Sequence, residues 1–203
     1  GKAHASASNK PKFAPVDENA PDNRGDIYAT NQGWVRAAGT KGSGNDNVNA
    51  QPEVLVAIGG LAGTSATTGL RTPTITRTRF VVGTTANTDF TANDANAQID
   101  VEITFDEAVT VTGSPQLTVT NNDGSGGGYG NLTLAYISGE STANQLRFRK
   151  TSGGIGNTDV LTVSTLALNG GTIKDTAAAA AGNTVAATLT YASGVAVSKT
   201  VTS

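Results

Sequence analysis

Residues 98–111 read Gln-Ile-Asp-Val-Glu-Ile-Thr-Phe-Asp-Glu-Ala-Val-Thr-Val, and this stretch decides the fold. Apolar side chains alternate with polar, mostly acidic ones, which is typical of a β-strand with one buried and one solvated face. The apolar positions are Ile99, Val101, Ile103, Phe105, Val109 and Val111, and the polar ones are Asp100, Glu102, Thr104 and Asp106. Because the apolar face needs a second sheet to cover it, the pattern predicts the central strand of a β-sandwich, with a solvated acidic stripe outside.

The composition favours short strands over helices or disorder. Of the 203 residues, 37% are hydrophobic and 15% are charged, and 25 residues are glycine. The chain is too apolar and too weakly charged to be disordered, and it is long enough for one domain with a structured arm. The absence of cysteine excludes a disulfide framework and a thiolate metal site.

Charge is distributed unevenly along the chain. Residues 1–80 hold nine Lys/Arg and six Asp/Glu, a net of +3, whereas residues 81–203 hold five and ten, a net of −5. A modestly basic arm on an acidic body favours docking to an acidic protein surface, because nucleic-acid binders usually carry a denser basic patch. The sequence therefore predicts protein partners and no nucleic acid.

The sequence predicts neither membrane insertion nor secretion. No apolar run approaches the roughly 18–20 residues of a membrane helix. Residues 1–8 are polar and do not form a secretory h-region. We expect a soluble product that is assembled in the cytoplasm.

Residues 1–31 are predicted to form an extended arm. They lack periodicity and are rich in Pro, Asn, Asp and Ala, so alone they bury too little surface to become ordered. Phe13 and Tyr28 are isolated apolar side chains in this segment, and we expect them, together with Trp34, to anchor the chain on a partner. Residues 24–26 spell the integrin-binding tripeptide Arg-Gly-Asp, for which an ordinary turn is the favoured interpretation.

Residues 32–75 are predicted to form a β-ribbon and a linker. Residues 33–39 and 53–59 are its two strands, and the linker that follows is rich in glycine. Trp34, the only tryptophan, should form a small hydrophobic nucleus here, with a ligand-stacking site as the less favoured alternative. Because a two-stranded ribbon is marginally stable alone, it should lean on the sandwich or on another chain.

Residues 76–203 are predicted to form an immunoglobulin-like antiparallel β-sandwich. Alternating segments recur at regular spacing between Gly/Asn turns, which indicates about seven strands. They are 76–82, 98–111, 116–120, 132–136, 146–149, 160–168 and 185–191, with an edge strand around 195–201. The alanine-rich run 176–182 adds at most a helical turn.

Four short motifs in the N-terminal third carry a family resemblance. They are Ala3-His-Ala-Ser6, Asn9-Lys-Pro-Lys-Phe13, Gly33-Trp-Val35 and Glu53-Val-Leu-Val-Ala-Ile-Gly59. Together they resemble small virion structural proteins of tailed phages, particularly those that infect marine cyanobacteria. The resemblance implies a virion component whose partners are other virion proteins, most of all the major capsid protein.

A second resemblance spans nearly all of residues 98–191. Its motifs are residues 99–113, 115–119, 135–139, 146–148 and 166–175. In this order they resemble the bacterial immunoglobulin-like repeats of large surface and adhesin proteins, although residues 176–181 interrupt the family pattern. The resemblance implies an immunoglobulin-like fold, and it is compatible with the first because phages carry such modules on heads and tails.

The sequence predicts no catalytic residues, no cofactor and no metal. His4, the only histidine, lies in the arm, which removes the commonest general base and metal ligand from the body. Carboxylates of the central strand, including Glu107, are assigned to the solvated stripe rather than to an acid/base pair. Calcium is the one candidate ion, because it binds several oxygen ligands and five aspartates lie in predicted loops. These aspartates do not form a spaced Asp-x-Asp-x-Asp motif, which disfavours a calcium site. These are Asp89, Asp94, Asp123, Asp159 and Asp175.

Together these observations predict a non-enzymatic virion structural protein. The favoured role is a head decoration or cement protein, whose arm binds the capsid lattice and whose immunoglobulin-like domain is displayed. Self-association on the particle fits this role. The alternatives are a tail or baseplate protein, or a bacterial cell-surface adhesion or spacer module that binds carbohydrate or calcium.

Overall fold

The computed structural model of the chain is nearly all β and describes residues 26–39, 46–62, 73–82, 85–86, 90–91, 98–124, 126–176 and 198–202. Its strands are β1 (Ile27–Thr30), β2 (Gly33–Arg36), β3 (Glu53–Ala57), β4 (Ile75–Val82), β5 (Thr85–Ala86), β6 (Phe90–Thr91), β7 (Asp100–Phe105), β8 (Val109–Thr112), β9 (Gln116–Asn122), β10 (Leu132–Tyr136), β11 (Gln145–Ser152), β12 (Val160–Ala167), β13 (Thr172–Asp175) and β14 (Ser198–Thr202). Ser138–Glu140 form a short 3-10 turn. Within the described ranges, no helix has the length and apolar character needed to cross a bilayer.

Three sequence predictions lie outside the described residues. They are the extended arm over residues 1–25, the strand at 185–191 and the helical turn from 177 onwards. The edge strand expected around 195–201 is present as β14, whose Val201 is buried in the core.

Seven strands of the sandwich pair in one continuous antiparallel order, β4-β7-β11-β10-β9-β12-β14. Lettered A to G along the chain, this order is A-B-E-D-C-F-G. An immunoglobulin-type sandwich has strands A-B-E-D in one sheet and C-F-G in the other. Here hydrogen bonds between β10 and β9 join the two halves into one curled sheet. The prediction of an all-β antiparallel sandwich is confirmed.

A second sheet of two strands, β13-β8, packs into the same core. Val109 and Ile173 are its buried side chains. The turn that follows β8 and the turn that precedes β13 approach so closely that glycine is needed in both. Gly113 has φ +72, and a Cβ atom on Gly171 would lie 2.2 Å from the Thr112 carbonyl oxygen.

The hydrophobic core is built on the strand face that the sequence predicted. Ile99, Val101, Ile103 and Phe105 are fully buried. The strands on either side contribute their own alternating apolar residues. These include Phe80, Leu117, Val119, Leu132, Leu134, Leu146, Phe148, Leu161, Val163 and Leu166.

The opposite face of β7 is buried as well, so the prediction of a solvated acidic stripe is wrong. The exposed fractions are 0% for Asp100, 4% for Glu102 and 1% for Asp106. The reason is cross-strand pairing, because Arg79 of β4 and Arg147 of β11 lie in register with Glu102 on its two sides. A carboxylate tolerates burial when arginines compensate its charge and satisfy its oxygens.

Candidate functional site

The N-terminal ribbon has three strands in the order β1-β2-β3 and a small core of its own. This core consists of Ile27, Ala29, Trp34, Leu61 and Ala62, with Leu55 and Ile58 packed against it. β1 and β2 are joined by a two-residue turn, in which the Thr30 hydroxyl donates to the Gly33 carbonyl at 3.1 Å. The predicted arm of residues 1–31 therefore extends too far, because residues 27–30 pair with β2 across this tight turn.

Two of the three predicted partner anchors are buried inside this chain. Trp34 is fully buried in the ribbon core, as the hydrophobic-nucleus interpretation expected, and Tyr28 is also buried. Burial raises the pKa of the Tyr28 phenol. Both rings stabilise the chain's own fold and would reach a partner only if the ribbon opened. Phe13 lies outside the described residues, so its role as an anchor stays a prediction.

Backbone hydrogen bonds attach the ribbon to the sandwich at residues 106 and 107. Ala29 of β1 donates its N–H to the Asp106 carbonyl at 2.7 Å and forms a parallel bridge with Glu107. Asp106 also binds the residue before β4. Its N–H donates to the Thr74 carbonyl at 3.0 Å, and its Oδ1 accepts from the Thr74 N–H at 2.8 Å. The segment between β7 and β8 is thus the junction of ribbon and sandwich.

The outer strand of the ribbon is exposed. β3 forms the edge of the described three-stranded sheet, and its Val54 and Val56 are 43% and 39% exposed. Val48, in the loop before β3, is 71% exposed. These are the only exposed large hydrophobic side chains in the part of the chain that the structure describes, and two of the three lie on β3. An apolar edge strand offers both side chains and backbone hydrogen-bonding groups to another chain.

A network of ion pairs covers the outer face of β4, β7 and β11. We call it the charge ladder and define it by Arg77, Arg79, Asp100, Glu102, Arg147 and Arg149. Glu102 accepts hydrogen bonds from Arg77 and Arg79 at 3.0 Å each, and from Arg147 at 3.3 Å. Arg149 holds Asp100 through two hydrogen bonds of 2.7 and 2.9 Å.

The chemistry of the charge ladder is structural. Burial lowers the pKa of Arg77, and the neighbouring charge of Arg79 acts in the same direction. Hydrogen bonds to Asp100 and to Glu140 raise the pKa of Arg149. Because arginines hold both buried carboxylates of the ladder, neither carboxylate is presented to a substrate as a general base.

Glu107 lies in a different environment. It is fully buried, and neither of its carboxylate oxygens has a hydrogen-bond partner among the described residues. Burial, together with the neighbouring charges of Asp106 and Asp175, raises the pKa of Glu107 to about 8. Within the described ranges, no three acidic or histidine side chains are arranged to hold a metal ion.

Two of the five candidate calcium-binding aspartates, Asp123 and Asp159, accept hydrogen bonds from nearby loop residues. Asp123 accepts hydrogen bonds from the N–H groups of two glycines at 2.7 and 3.0 Å. Asp159 accepts from the Gly156 N–H at 2.7 Å and from the Asn121 amide at 2.9 Å. Asp175 lies at the end of β13 and is buried near Glu107. Asp89 and Asp94 lie outside the described residues.

The fold and these sites define a class: an all-β sandwich with an attached ribbon, a structural charge network and an exposed apolar edge strand. Comparison of the chain with models of protein families, with curated proteins and with solved structures gives no match.

Sequence reasoning missed the exposed edge and the special position of Glu107. For the edge, the signal was the run 53–57, where a single charged residue precedes four apolar ones. For Glu107, the signal was its parity, since it occupies the same alternating set as Phe105 and Val109. A carboxylate on the core face of a strand is a residue whose burial has to be explained.

Proposed function

We propose that this protein is a non-enzymatic structural protein of a phage virion, a head decoration protein that binds the capsid lattice through its N-terminal ribbon and arm. The observation that carries the proposal is the exposed apolar edge strand β3. Of the three exposed large hydrophobic residues of the described chain, Val54 and Val56 lie on this strand and Val48 lies in the loop before it. The sandwich is then the part that is displayed on the particle.

Strand addition is the mode of binding that β3 supports. Val54 and Val56 flank a β-bulge, because they pair with the adjacent residues Val35 and Trp34, and both valines are partly exposed. An added strand would satisfy the backbone groups along the outer edge of β3, and its side chains would cover the two valines. The partner we propose is the major capsid protein, offering an extended segment or a sheet edge.

The ribbon holds the edge strand β3 in a fixed, folded position. Trp34 and its neighbours give it a core, and the 2.7 Å hydrogen bond from Ala29 to Asp106 fixes it to the sandwich. A pre-ordered strand loses less conformational entropy on binding than a flexible segment does. The ribbon can therefore bind a partner without first having to fold.

The virion assignment is supported by the resemblance of residues 3–6, 9–13, 33–35 and 53–59 to tailed-phage structural proteins. The last of these motifs contains the whole of β3. The net charge of +3 over residues 1–80 also favours an acidic protein surface as the partner.

Co-sedimentation with capsids of the phage that encodes the protein tests the proposal. The double variant Val54→Lys/Val56→Lys places two charges on the edge, a standard feature of strands that avoid pairing. We expect its affinity to fall at least about 100-fold, since roughly 3 kcal/mol of apolar contact is lost. Thr165→Lys adds a charge on an exposed position of β12 and should bind like the wild type.

Circular dichroism and Trp34 fluorescence check that each variant folds. Equal binding of the double variant and the wild type would show that β3 is not the attachment surface. Electron micrographs that show the protein on the tail would indicate a tail role instead of a head role. Binding to bacterial cells and not to capsids would favour the adhesion module.

A further inference from the structure

We propose that Glu107 is a pH-sensitive switch that controls the attachment of the ribbon to the sandwich. In the neutral, protonated state its carboxyl group allows the junction to close. Loss of the proton places a negative charge inside the junction and weakens it.

The position of Glu107 is the first argument. It lies between β7 and β8, where its backbone forms the parallel bridge with Ala29 of β1. The preceding residue, Asp106, accepts the hydrogen bond that holds β1 to the sandwich. A change in the charge of Glu107 therefore acts next to the contacts that attach the ribbon.

The surroundings of Glu107 are the second argument. Its side chain is fully buried, and both oxygens lack a hydrogen-bond partner among the described residues. The charged groups that act on it are Asp106 of the same segment and Asp175 of β13, and both are acidic. On the ribbon side, Ala29 forms the backbone bridge to Glu107. The nearby charged residue Asp26, just before β1, interacts electrostatically with Arg77.

Electrostatics gives the direction of the effect. An ionised Glu107 would lie near two other carboxylates in a medium from which water is largely removed, and like charges repel strongly there. A buried carboxylic acid that keeps its proton avoids this repulsion. The closed junction therefore binds a proton that the open junction releases to solvent.

The pH window follows from the two pKa values. The pKa of Glu107 is about 8 in the closed state and has the ordinary value of 4.5 when the side chain is exposed. The stabilising contribution is complete below pH 4.5, declines as the pH rises, and is lost above about pH 8. Between these limits one proton is linked to opening, so the equilibrium constant for opening should rise about tenfold per pH unit.

Hydrogen–deuterium exchange of the Ala29 amide measures this equilibrium, because that N–H is bonded across the junction. After correction for intrinsic exchange, we expect its protection factor to fall about 100-fold across two pH units within the window. Glu107→Gln stays neutral at every pH and should remove the pH dependence. Glu53→Gln, a change at an exposed glutamate of β3, should keep it. A flat wild-type profile, or a full decline in Glu107→Gln, would overturn the proposal.

A direct titration keeps the test decisive if Glu107→Gln does not fold. The carboxyl carbon of Glu107 in the wild type, followed by NMR, should titrate near pH 8, and a midpoint below pH 6 would overturn the proposal. Exchange at pH 9 should also be the same with calcium and with EDTA. Protection restored by calcium would mean that the carboxylates bind a cation in place of a proton, which would also overturn it.

Discussion

Replacing Glu102 by glutamine tests whether the charge ladder stabilises the sandwich. The substitution keeps the volume of the side chain but removes the charge that three arginines share. Two of them, Arg77 and Arg147, have side chains only 4% and 7% exposed. They would be left buried beside a neutral amide, and of the ladder's two carboxylates only Asp100 would remain.

The expected loss is about 3–5 kcal/mol, the usual cost of removing one partner from a buried ion pair. We expect the upper part of this range because Glu102 accepts three hydrogen bonds, at 3.0, 3.0 and 3.3 Å. Arg79 reduces the loss somewhat, since its side chain is 11% exposed and has some access to water.

Urea denaturation measures this loss as a lower midpoint with an unchanged m-value. Glu140→Gln is the matched control, because Glu140 also binds an arginine, Arg149, at 2.6 Å, but its side chain is 43% exposed. An exposed pair contributes about 0–1 kcal/mol, so the control should lose little stability. Equal losses in the two variants would refute the argument that burial makes the ladder important.

Two further predictions concern packing. Phe105→Ala should lower the free energy of unfolding by about 3–5 kcal/mol because it empties a fully buried core position. Urea denaturation measures this loss, and a loss below about 1 kcal/mol would mean that the core face is misassigned. Gly171→Ala should also destabilise the chain, by about 1–3 kcal/mol, because its Cβ atom would lie 2.2 Å from the Thr112 carbonyl oxygen. Gly139→Ala, where nothing lies within 4 Å, should be nearly neutral by the same measurement, and equal effects at the two sites would contradict the close approach.

The core of the sandwich could be predicted from sequence because alternation is a local signal. Ile103 and Phe105 can be assigned to the buried face because apolar and polar residues alternate along the strand. Whether the opposite face is buried depends on residues that are distant along the chain. Glu102 is buried because of Arg79 and Arg147, which are 23 and 45 residues away along the chain. The pairing of those strands, and hence the compensation of charge, depends on the assembled topology.

The ribbon shows a second limit of sequence reasoning. Ile27 and Tyr28 stand in a polar segment, and four residues are too few to show a clear alternation. Their strand forms because β2 follows after a two-residue turn and because Ala29 finds a backbone partner in the sandwich. Phe13, the remaining proposed anchor, lies outside the described residues, and its role rests on the sequence.

Glu102 and Glu107 show how neighbours decide what a buried glutamate does. Both lie in or next to the same strand and both are almost completely buried. Glu102 is surrounded by arginines, so its charge is compensated and the charge ladder is a fixed part of the fold. Glu107 is buried without an arginine partner among the described residues and has two aspartates as its charged neighbours, so holding a proton avoids an uncompensated charge. Because Glu107 lies where the ribbon meets the sandwich, the proposed switch would act on the unit that carries β3. If β3 binds the capsid as proposed, that binding should weaken at alkaline pH in the wild type and not in Glu107→Gln.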